Sequence, residues 1–231
     1  MAKRKAKVAI IDNSIDSSIY NPVDHWRTYL GVESHSFKAA KSRFPDLGAG
    51  YTHIILTGSE ASILNREKWV FEEVEVIQDA MDRELSILGS CYGHQLLVLA
   101  LLGPAHVRRC AHPEIGWIPV KVKVENGLLG EKKIGHSFSI HFDEVMNLTD
   151  SFVVLASSRY CQVQAFQMKE RPVWGLQIHP EIDIRRGQEL LKKLISLKLE
   201  ATPLFEKALR SKPEDSGLIR KIIKEFLRPW K

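Results

Sequence analysis

The chain has 231 residues, 44% of them hydrophobic and 26% charged, and carries a formal net charge of +5. This length suits a single α/β domain with a full core, and no run approaches the roughly 18 apolar residues that span a membrane. The opening MAKRKAKVAIID lacks the apolar stretch of a secretory signal, and the three cysteines have no metal-type spacing, so we expect a protein of the reducing cytoplasm that binds no metal.

The first third of the chain alternates between predicted strands and helices. Three runs have the apolar or alternating pattern of strands: Lys7–Asp12, Val32–Phe37 and Tyr51–Leu56. Two stretches have helical periodicity: Val23–Leu30 and Glu67–Met81. Strands joined through helices imply βαβ units. We therefore predict an α/β fold of the flavodoxin-like three-layer kind, with a mixed, mostly parallel sheet and helices on both faces.

The loop after the strand Tyr51–Leu56 contains the small residues Gly58 and Ser59. Functional loops of open α/β sheets gather at the carboxyl ends of the strands, which places this loop near other strand ends. The Gly58-Ser59 pair could turn backbone N–H groups toward a developing oxyanion. The alternative is an ordinary turn without a chemical role.

The central motif of the chain is the segment Leu85–Gly103, which reads as a short apolar strand, a Gly-Ser-Cys-Tyr-Gly turn and a run of helix formers. Gly89 and Gly93 flank Cys91 at the spacing of a nucleophile elbow, a strained strand-to-helix turn in which small neighbours let the backbone pass. Such a turn exposes the sulfur at a helix N-terminus, where the dipole favours the thiolate. We interpret Cys91 as a nucleophile; the alternative is a buried structural cysteine.

Four further strands are predicted in the second half: Trp117–Val124, Phe152–Ala156, Gln162–Met168 and Val173–Ile178. The Asn126-Gly127 pair is typical of a hairpin turn, which adds antiparallel pairing and makes the sheet mixed. Beyond them, Arg185–Glu200 and a segment around Leu218–Phe226 have amphipathic helical patterns.

Positive charge is concentrated in this C-terminal part. From Ile184 onward there are 13 Lys and Arg against 6 Asp and Glu, or +7, whereas the remainder has 20 against 22, or −2. No recognisable nucleic-acid-binding module accompanies this charge, so we do not expect nucleic acid as a partner. We expect residues 184–231 to form a basic helical extension packed on a domain of residues 1–183. The alternative is a docking surface for a separate partner protein or an acidic substrate.

A nucleophilic thiol needs a general base, and the base needs an orienting acceptor. Of nine histidines, His179 is the strongest candidate because it follows an apolar strand directly, and Glu181 two residues later could hold its tautomer. A second His-Pro-Glu begins at His112, in a predicted loop after Cys110 and not after a clear apolar strand. We interpret that second copy as structural.

Four motifs occur in one order along the chain: LTGS at Leu56–Ser59, GSCYGHQ around Cys91, PEIGW at Pro113–Trp117 and IHPE ending at Glu181. Together they resemble the class I, or triad-type, glutamine amidotransferases, with most likeness to the amidotransferase domain of GMP synthase and its stand-alone relatives. The resemblance spans roughly residues 8–182. It implies that Cys91 is the nucleophile, His179 the base and Glu181 its orienter, and that glutamine is hydrolysed through a γ-glutamyl thioester without a cofactor.

The same resemblance implies the groups that bind the substrate. Backbone N–H groups of Gly58 or Ser59 and of Tyr92 would form the oxyanion site, and Gln95 would help to hold the amino-acid end of glutamine. Ser139 and Ile140 lie in the stretch FSIHFD, whose counterpart lines the glutamine pocket with its backbone. One departure is that Gly58-Ser59-Glu60 stands where the family commonly has Gly-Gly-Pro, which puts a carboxylate near the expected oxyanion.

The sequence carries no ATP-binding loop of the GxxxxGK[ST] type, so no acceptor chemistry for ammonia is predicted here. Either a separate synthetase subunit receives the ammonia, or the protein is a stand-alone γ-glutamyl amide hydrolase. A catalytically silent binding or regulatory relative and a cysteine peptidase-like enzyme are further alternatives. These hypotheses share one fold and differ in glutamine specificity.

Overall fold

The computed structural model describes residues 5–230. Met1–Arg4 and Lys231 lie outside the described residues. They include the start of the expected domain of residues 1–183, with the beginning of the segment MAKRKAKVAIID, and the end of the expected extension of residues 184–231. Within residues 5–230 nine strands form one sheet: β1 (Lys7–Asp12), β2 (Glu33–Lys38), β3 (His53–Leu56), β4 (Ser86–Ser90), β5 (Val107–Val122), β6 (Ile134–Val145), β7 (Phe152–Ser157), β8 (Ala165–Met168) and β9 (Val173–Leu176). The same residues form six α-helices: α1 (Pro22–Leu30), α2 (Lys68–Asp82), α3 (Tyr92–Leu102), α4 (Ile184–Ser196), α5 (Thr202–Arg210) and α6 (Ile219–Phe226).

The sheet has the strand order β2-β1-β3-β4-β9-β8-β7-β5-β6. The five strands from β2 to β9 pair in parallel, and the remaining pairs are antiparallel. Strands β3, β4 and β9 are buried along their whole length, which explains their continuous apolar or small-residue sequences. The predicted α/β class with a mixed sheet is confirmed.

Two apolar cores cover the two faces of the sheet. Alternate residues of β1 point to opposite sides: Ala9 and Ile11 join the core that holds α2 and α3, whereas Val8 and Ile10 join the core that holds α1 and α6. The chain therefore has three layers, as predicted.

Strand β6 was not predicted from the sequence. Its buried positions include polar side chains, among them Ser137, Ser139 and His141, so the alternation of apolar and polar residues that marks a half-buried strand is hidden. Strand β5 also begins ten residues before the predicted Trp117, at Val107. The His-Pro-Glu copy at His112 consequently lies within a strand, at a register shift between Arg109 and Glu114, and the expectation of a loop was wrong.

The C-terminal helices pack on the sheet and on each other. Asp183 caps α4 by accepting a hydrogen bond from the Arg186 N–H at 2.8 Å, and the apolar face of α4 joins Phe205 of α5 in a third core. Helix α5 was not predicted, and α6 buries Phe226 completely in the core beside β1. A domain boundary at 183/184 stays a prediction. No helix among residues 5–230 is both long and apolar enough to cross a membrane.

Candidate active site

Cys91 occupies the single residue between the end of β4 and the start of α3. Its φ of 48° and ψ of −103° lie outside the regions that non-glycine residues favour, which costs about 1–3 kcal/mol. Two backbone hydrogen bonds hold this conformation: the Cys91 N–H donates to the Leu176 carbonyl at 2.7 Å, and the Gln95 N–H donates to the Cys91 carbonyl at 3.0 Å. Cys91 is only 6% exposed, so its sulfur opens into a cavity and not onto the outer surface.

The two glycines of the motif are required by close backbone approach. A Cβ at Gly89 would overlap the carbonyl of Gly93, and a Cβ at Gly93 would overlap the carbonyl of Leu56. Gly93 also donates its N–H to the Thr57 carbonyl at 3.1 Å, which draws the first turn of α3 against the end of β3. The spacing Gly-x-Cys-x-Gly therefore builds the predicted strained turn.

His179 and Glu181 form a buried pair beside Cys91. His179 Nδ1 lies 2.8 Å from Glu181 Oε1, and the side chains are 3% and 0% exposed. Because the carboxylate only accepts, the proton of the neutral imidazole belongs on Nδ1 and the lone pair on Nε2. Tyr20 Oη donates to the same carboxylate at 3.2 Å and Ser90 Oγ at 3.4 Å, so Glu181 is held from three sides.

Cys91 and His179 follow two strands that are neighbours in the sheet. Strand β4 pairs in parallel with β9, and Ser90 stands opposite Leu176 in the register. Cys91 follows the end of β4 and His179 follows the end of β9, with the His179 N–H bonded to the Phe138 carbonyl at 2.8 Å. Cys91 and His179 are therefore brought together at the carboxyl ends of these two strands, as expected from the sequence.

The charges around His179 favour its protonated form. Burial by itself lowers the pKa of His179, but the electrostatic effects of Cys91 and Glu181, together with the hydrogen bond to Glu181, outweigh burial and raise that pKa above its ordinary value. Nε2 of His179 is buried and has no hydrogen-bond partner among the described residues, while Cys91 Sγ approaches the Ile140 carbonyl at 3.6 Å. Nε2 is thus free to exchange a proton with the thiol or with a bound substrate.

Free backbone donors lie around the sulfur. The N–H groups of Gly58, Ser59 and Tyr92 have no hydrogen-bond acceptor among residues 5–230, and Ser59 and Tyr92 line the same cavity as Cys91. A Cβ at Gly58 would lie 2.7 Å from His179 Cε1 and 3.1 Å from Tyr20 Oη, so only glycine fits there. These donors can stabilise a negative oxygen that forms next to the cysteine.

Glu60, the departure noted in the sequence, is turned toward a neighbouring loop. Its carboxylate accepts the N–H groups of Ile15 at 2.8 Å and Asp16 at 3.2 Å. Burial raises the pKa of Glu60, and these backbone donors act against that rise. The Glu60 carboxylate is therefore hydrogen-bonded to this loop and does not compete for the N–H donors around Cys91.

The cavity has a volume of about 250 Å³, and Cys91, Tyr92, Ser59, Gln95, Ile140 and His179 are among its lining residues. Gln95 Nε2 is already bonded to the Asp143 carbonyl at 2.8 Å and to Gln177 Oε1 at 3.1 Å. Ser139 is completely buried behind Ile140 in β6 and does not line the cavity. Most of the predicted site residues therefore converge, and Ser139 does not.

Other site residues had weak or no signals in the sequence. Ser90 precedes Cys91 inside the motif and could have been found there, whereas Tyr20 lies in a polar loop with no pattern around it. The C-terminal side chains Leu190, Leu194, Leu199 and Phe205 also line the cavity. His112 takes no part: it is exposed, and its ring lies 5.0 Å from that of Tyr160.

One group of side chains among residues 5–230 has donor atoms close enough to hold a metal ion. The atoms belong to Glu114, His141 and Cys161 and lie within 4.8 Å of one another in the buried interior. Glu114 Oε2 already accepts from Ser158 Oγ and Gln164 Nε2, both at 2.7 Å. Donors of the chain itself therefore already occupy one of the two oxygens of this carboxylate.

The chain also matches a known protein family, in addition to having this sheet, the strained cysteine turn and the His–Glu pair. Residues 9–197 match the model of the class-I glutamine amidotransferases, and the chain belongs to that family. It is 37% identical to a protein of Thermoplasma volcanium named as one subunit of a glutamine-hydrolyzing GMP synthase, over 177 residues that cover 74% of this chain and 84% of the relative. Alignments with several other proteins of that description are shorter and span 58–62% of the relative's length.

Two further comparisons extend over most of the chain. Gamma-glutamyl peptidase 3 of Arabidopsis thaliana is 26% identical over 210 residues, which cover 86% of this chain and 84% of the peptidase. A crystal structure of a glutamine amidotransferase from Thermotoga maritima superposes with a TM-score of 0.74 at 20% identity, covering 97% of this chain and 99% of that one. This last similarity supports the fold.

Proposed function

We propose that the chain is a cysteine-dependent glutaminase. Cys91 Sγ passes its proton to His179 Nε2 and attacks the side-chain amide carbon of glutamine, and the C–N bond breaks as the amide nitrogen takes that proton from Nε2. Ammonia leaves, and a γ-glutamyl thioester remains on Cys91. Water, deprotonated by His179, then hydrolyses the thioester to glutamate and restores the thiol.

The observation that carries this proposal is the position of His179 between Glu181 and the cavity that holds Cys91. Nδ1 is bonded to a buried carboxylate at 2.8 Å, and Nε2 is unpaired among the described residues, in the wall of the cavity that holds Cys91 Sγ. The raised pKa of His179 supports an imidazolium, which can give a proton to the leaving amine. The free N–H groups of Ser59 and Tyr92 supply the expected oxyanion donors.

We further propose that a separate synthetase subunit receives the ammonia. The support is the 37% identity to a protein named as one subunit of a glutamine-hydrolyzing GMP synthase. The chain itself has no ATP-binding loop of the GxxxxGK[ST] type. The cytoplasmic location expected from the sequence stays a prediction.

A second candidate function is stand-alone hydrolysis of γ-glutamyl amides larger than glutamine. Two observations favour it: the similarity to gamma-glutamyl peptidase 3 over most of the chain, and apolar side chains of α4 and α5 that line the cavity. The chemistry at Cys91 is the same in both cases, and only the leaving amine differs.

The test is release of ammonia and glutamate from glutamine by the isolated chain. Cys91→Ala and His179→Ala should each abolish turnover, whereas His112→Ala, which changes the histidine of the second His-Pro-Glu, should leave it intact. If the wild type is silent, labelling with a glutamine-like diazoketone decides the next step. Labelling of Cys91 supports an amidotransferase that turns over only with its partner subunit. An unlabelled Cys91 contradicts the proposal of an enzyme and favours a binding protein.

A further inference from the structure

The cavity beside Cys91 has two chemically different sides. One side is polar and is formed by α3 and the loop after β3, with Ser59, Ser62, Tyr92 and Gln95. The other side, here called the apolar wall, is formed by Ile19, Phe142, Leu190, Leu194, Leu199 and Phe205. The last four come from α4, from α5 and from the segment between these helices, so the C-terminal extension closes part of the site.

The apolar wall and the candidate general acid share aromatic neighbours. His179 contacts Tyr20 with ring centroids 5.9 Å apart and Phe138 with centroids 6.4 Å apart. Both aromatic residues belong to the third core, which also contains Leu190, Leu194 and Phe205. Because the leaving amine takes its proton from His179, the group attached to that amine lies in the part of the cavity that His179 shares with the apolar wall.

Ammonia makes no use of such a surface. A leaving group without carbon atoms gains nothing from apolar side chains, whereas an aliphatic or aromatic side chain gains by leaving water there. Leu199 supports this reading because it is 47% exposed and lines the cavity, so apolar area stays open at the mouth of the site.

The cationic side chain of Arg109 lies next to the apolar wall. The Arg109 side chain is 61% exposed, lines the cavity and lies over the Phe142 ring at 5.2 Å. A single donor, Nη1, bonds Asp143 Oδ1 at 3.2 Å, and a guanidinium has five N–H donors. The remaining donors can bind a carboxylate next to the apolar wall.

We propose that the site takes γ-glutamyl dipeptides whose second residue has an apolar side chain and a free carboxylate. This inference rests on the proposed cysteine chemistry and names its substrate class. Cys91 Sγ forms a bond to the γ-carbonyl carbon, the amide C–N bond breaks, and the amino acid leaves with a proton from His179. Water then cleaves the thioester, so one dipeptide and one water give glutamate and one free amino acid.

The test compares kcat/KM for γ-glutamyl-leucine, γ-glutamylglycine and glutamine with the isolated protein. We expect γ-glutamyl-leucine to exceed γ-glutamylglycine by about 10-fold or more, which is the range that one or a few methylene groups give in an apolar pocket. Equal values for the two dipeptides, or a preference for glutamine over both, would overturn the inference while leaving the glutaminase intact.

Two exposed leucines provide a matched pair of variants. Leu199 lines the cavity, whereas Leu197 is similarly exposed at 44% and does not. Leu199→Ser should lower the preference for γ-glutamyl-leucine over γ-glutamylglycine by about threefold or more, and Leu197→Ser should leave that ratio unchanged. Equal effects of both variants, or none, would count against the apolar wall as the binding surface.

Arg109→Gln tests the carboxylate. It should raise KM for γ-glutamyl-leucine about tenfold and leave KM for γ-glutamyl-leucinamide, which has no carboxylate, within about twofold. An equal rise in KM for both substrates would show that Arg109 does not bind the carboxylate.

Diazoketone labelling of Cys91 separates this inference from the proposed chemistry. Labelling without turnover of any of the three substrates indicates a partner-dependent amidotransferase and overturns the dipeptide inference alone. An unlabelled Cys91 overturns both.

Discussion

Gly58 lies directly against His179: a Cβ at position 58 would come within 2.7 Å of the imidazole Cε1. The loop that offers backbone donors beside Cys91 and the ring of the candidate base therefore share one contact, and a change in either displaces the other. The absence of a side chain at Gly58 is part of the positioning of His179.

Gly58→Ala should consequently lower kcat/KM about 100-fold, because displacing a reacting group by about 1 Å has that effect. The fold should persist, as judged by circular dichroism. Gly31→Ala is the control: φ at Gly31 is 61° and a Cβ there meets nothing within 4 Å, so this variant loses about 1 kcal/mol of stability and no activity. Full activity of Gly58→Ala would contradict the contact.

Glu181→Gln should lower kcat by about 10²–10⁴-fold, by analogy with amide substitutions of the acidic member of other triads. Glu181 is one of the charges that raise the pKa of His179, so this pKa should fall in the variant. The imidazolium is then lost at lower pH than in the wild type, and the alkaline limb of the profile of kcat/KM shifts downward.

The measurement for Glu181 is a pair of kcat/KM profiles between about pH 5 and pH 10. Glu189→Gln, an exposed residue of α4 paired with Arg185, is the control for the same change of charge. A Glu181→Gln profile with an unshifted alkaline limb would show that the carboxylate does not act on His179.

Glu73 in α2 is buried with both carboxylate oxygens unpaired among the described residues, and burial raises its pKa from 4.5 to about 8. The folded state therefore retains a proton that the unfolded state loses above pH 4.5. The free energy of unfolding should fall by up to about 5 kcal/mol between pH 4.5 and 8 and level off above that pH.

Glu73→Gln removes this titration, so its urea midpoint should exceed that of the wild type at about pH 8.5 and approach it at about pH 5. Glu75→Gln changes the same charge on the exposed side of α2 and serves as the control. Parallel pH dependence of the Glu73→Gln variant and the wild type would contradict the raised pKa.

Phe226→Ala tests whether α6 is integral to the domain. Phe226 is fully buried against His53 and Trp174, with ring centroids 5.0 and 6.4 Å away. Its removal should cost about 3–5 kcal/mol in urea denaturation while kcat at low temperature is preserved. Phe71→Ala, at a side chain that is 64% exposed, should cost almost nothing. Equal stability of the two variants would indicate that α6 is dispensable.

Local sequence patterns were sufficient to predict the strained turn at Cys91 and the placement of His179 and Glu181 beside it. Cys91 directly follows β4 and His179 lies three residues after the end of β9, and the glycines around Cys91 are required by contacts within the same turn and the adjoining strand end. The sheet class also followed from local runs, because the inner parallel strands β1, β3 and β4 are buried over most or all of their length and are rich in apolar or small residues.

What the sequence did not predict depends on contacts between distant segments. Tyr20 reaches Glu181 across 161 positions, and nothing near Tyr20 indicates that its hydroxyl is used. Strand β6 buries Ser139 and His141 where a pattern reading expects apolar residues. The role of Leu194 and Phe205 in the cavity depends on how α4 and α5 fold back, which their amphipathic patterns do not specify.

The pairing of β4 with β9 has a consequence for how such proteins diverge. Cys91 and His179 follow two adjacent inner strands of the sheet, whereas much of the cavity wall belongs to loops and to the C-terminal helices. Under the proposed mechanism, substitutions in those walls change which amine is released and leave Cys91 and His179 in place. Selectivity and chemistry then depend on separate parts of the chain, and a new substrate can be acquired without rebuilding the reaction.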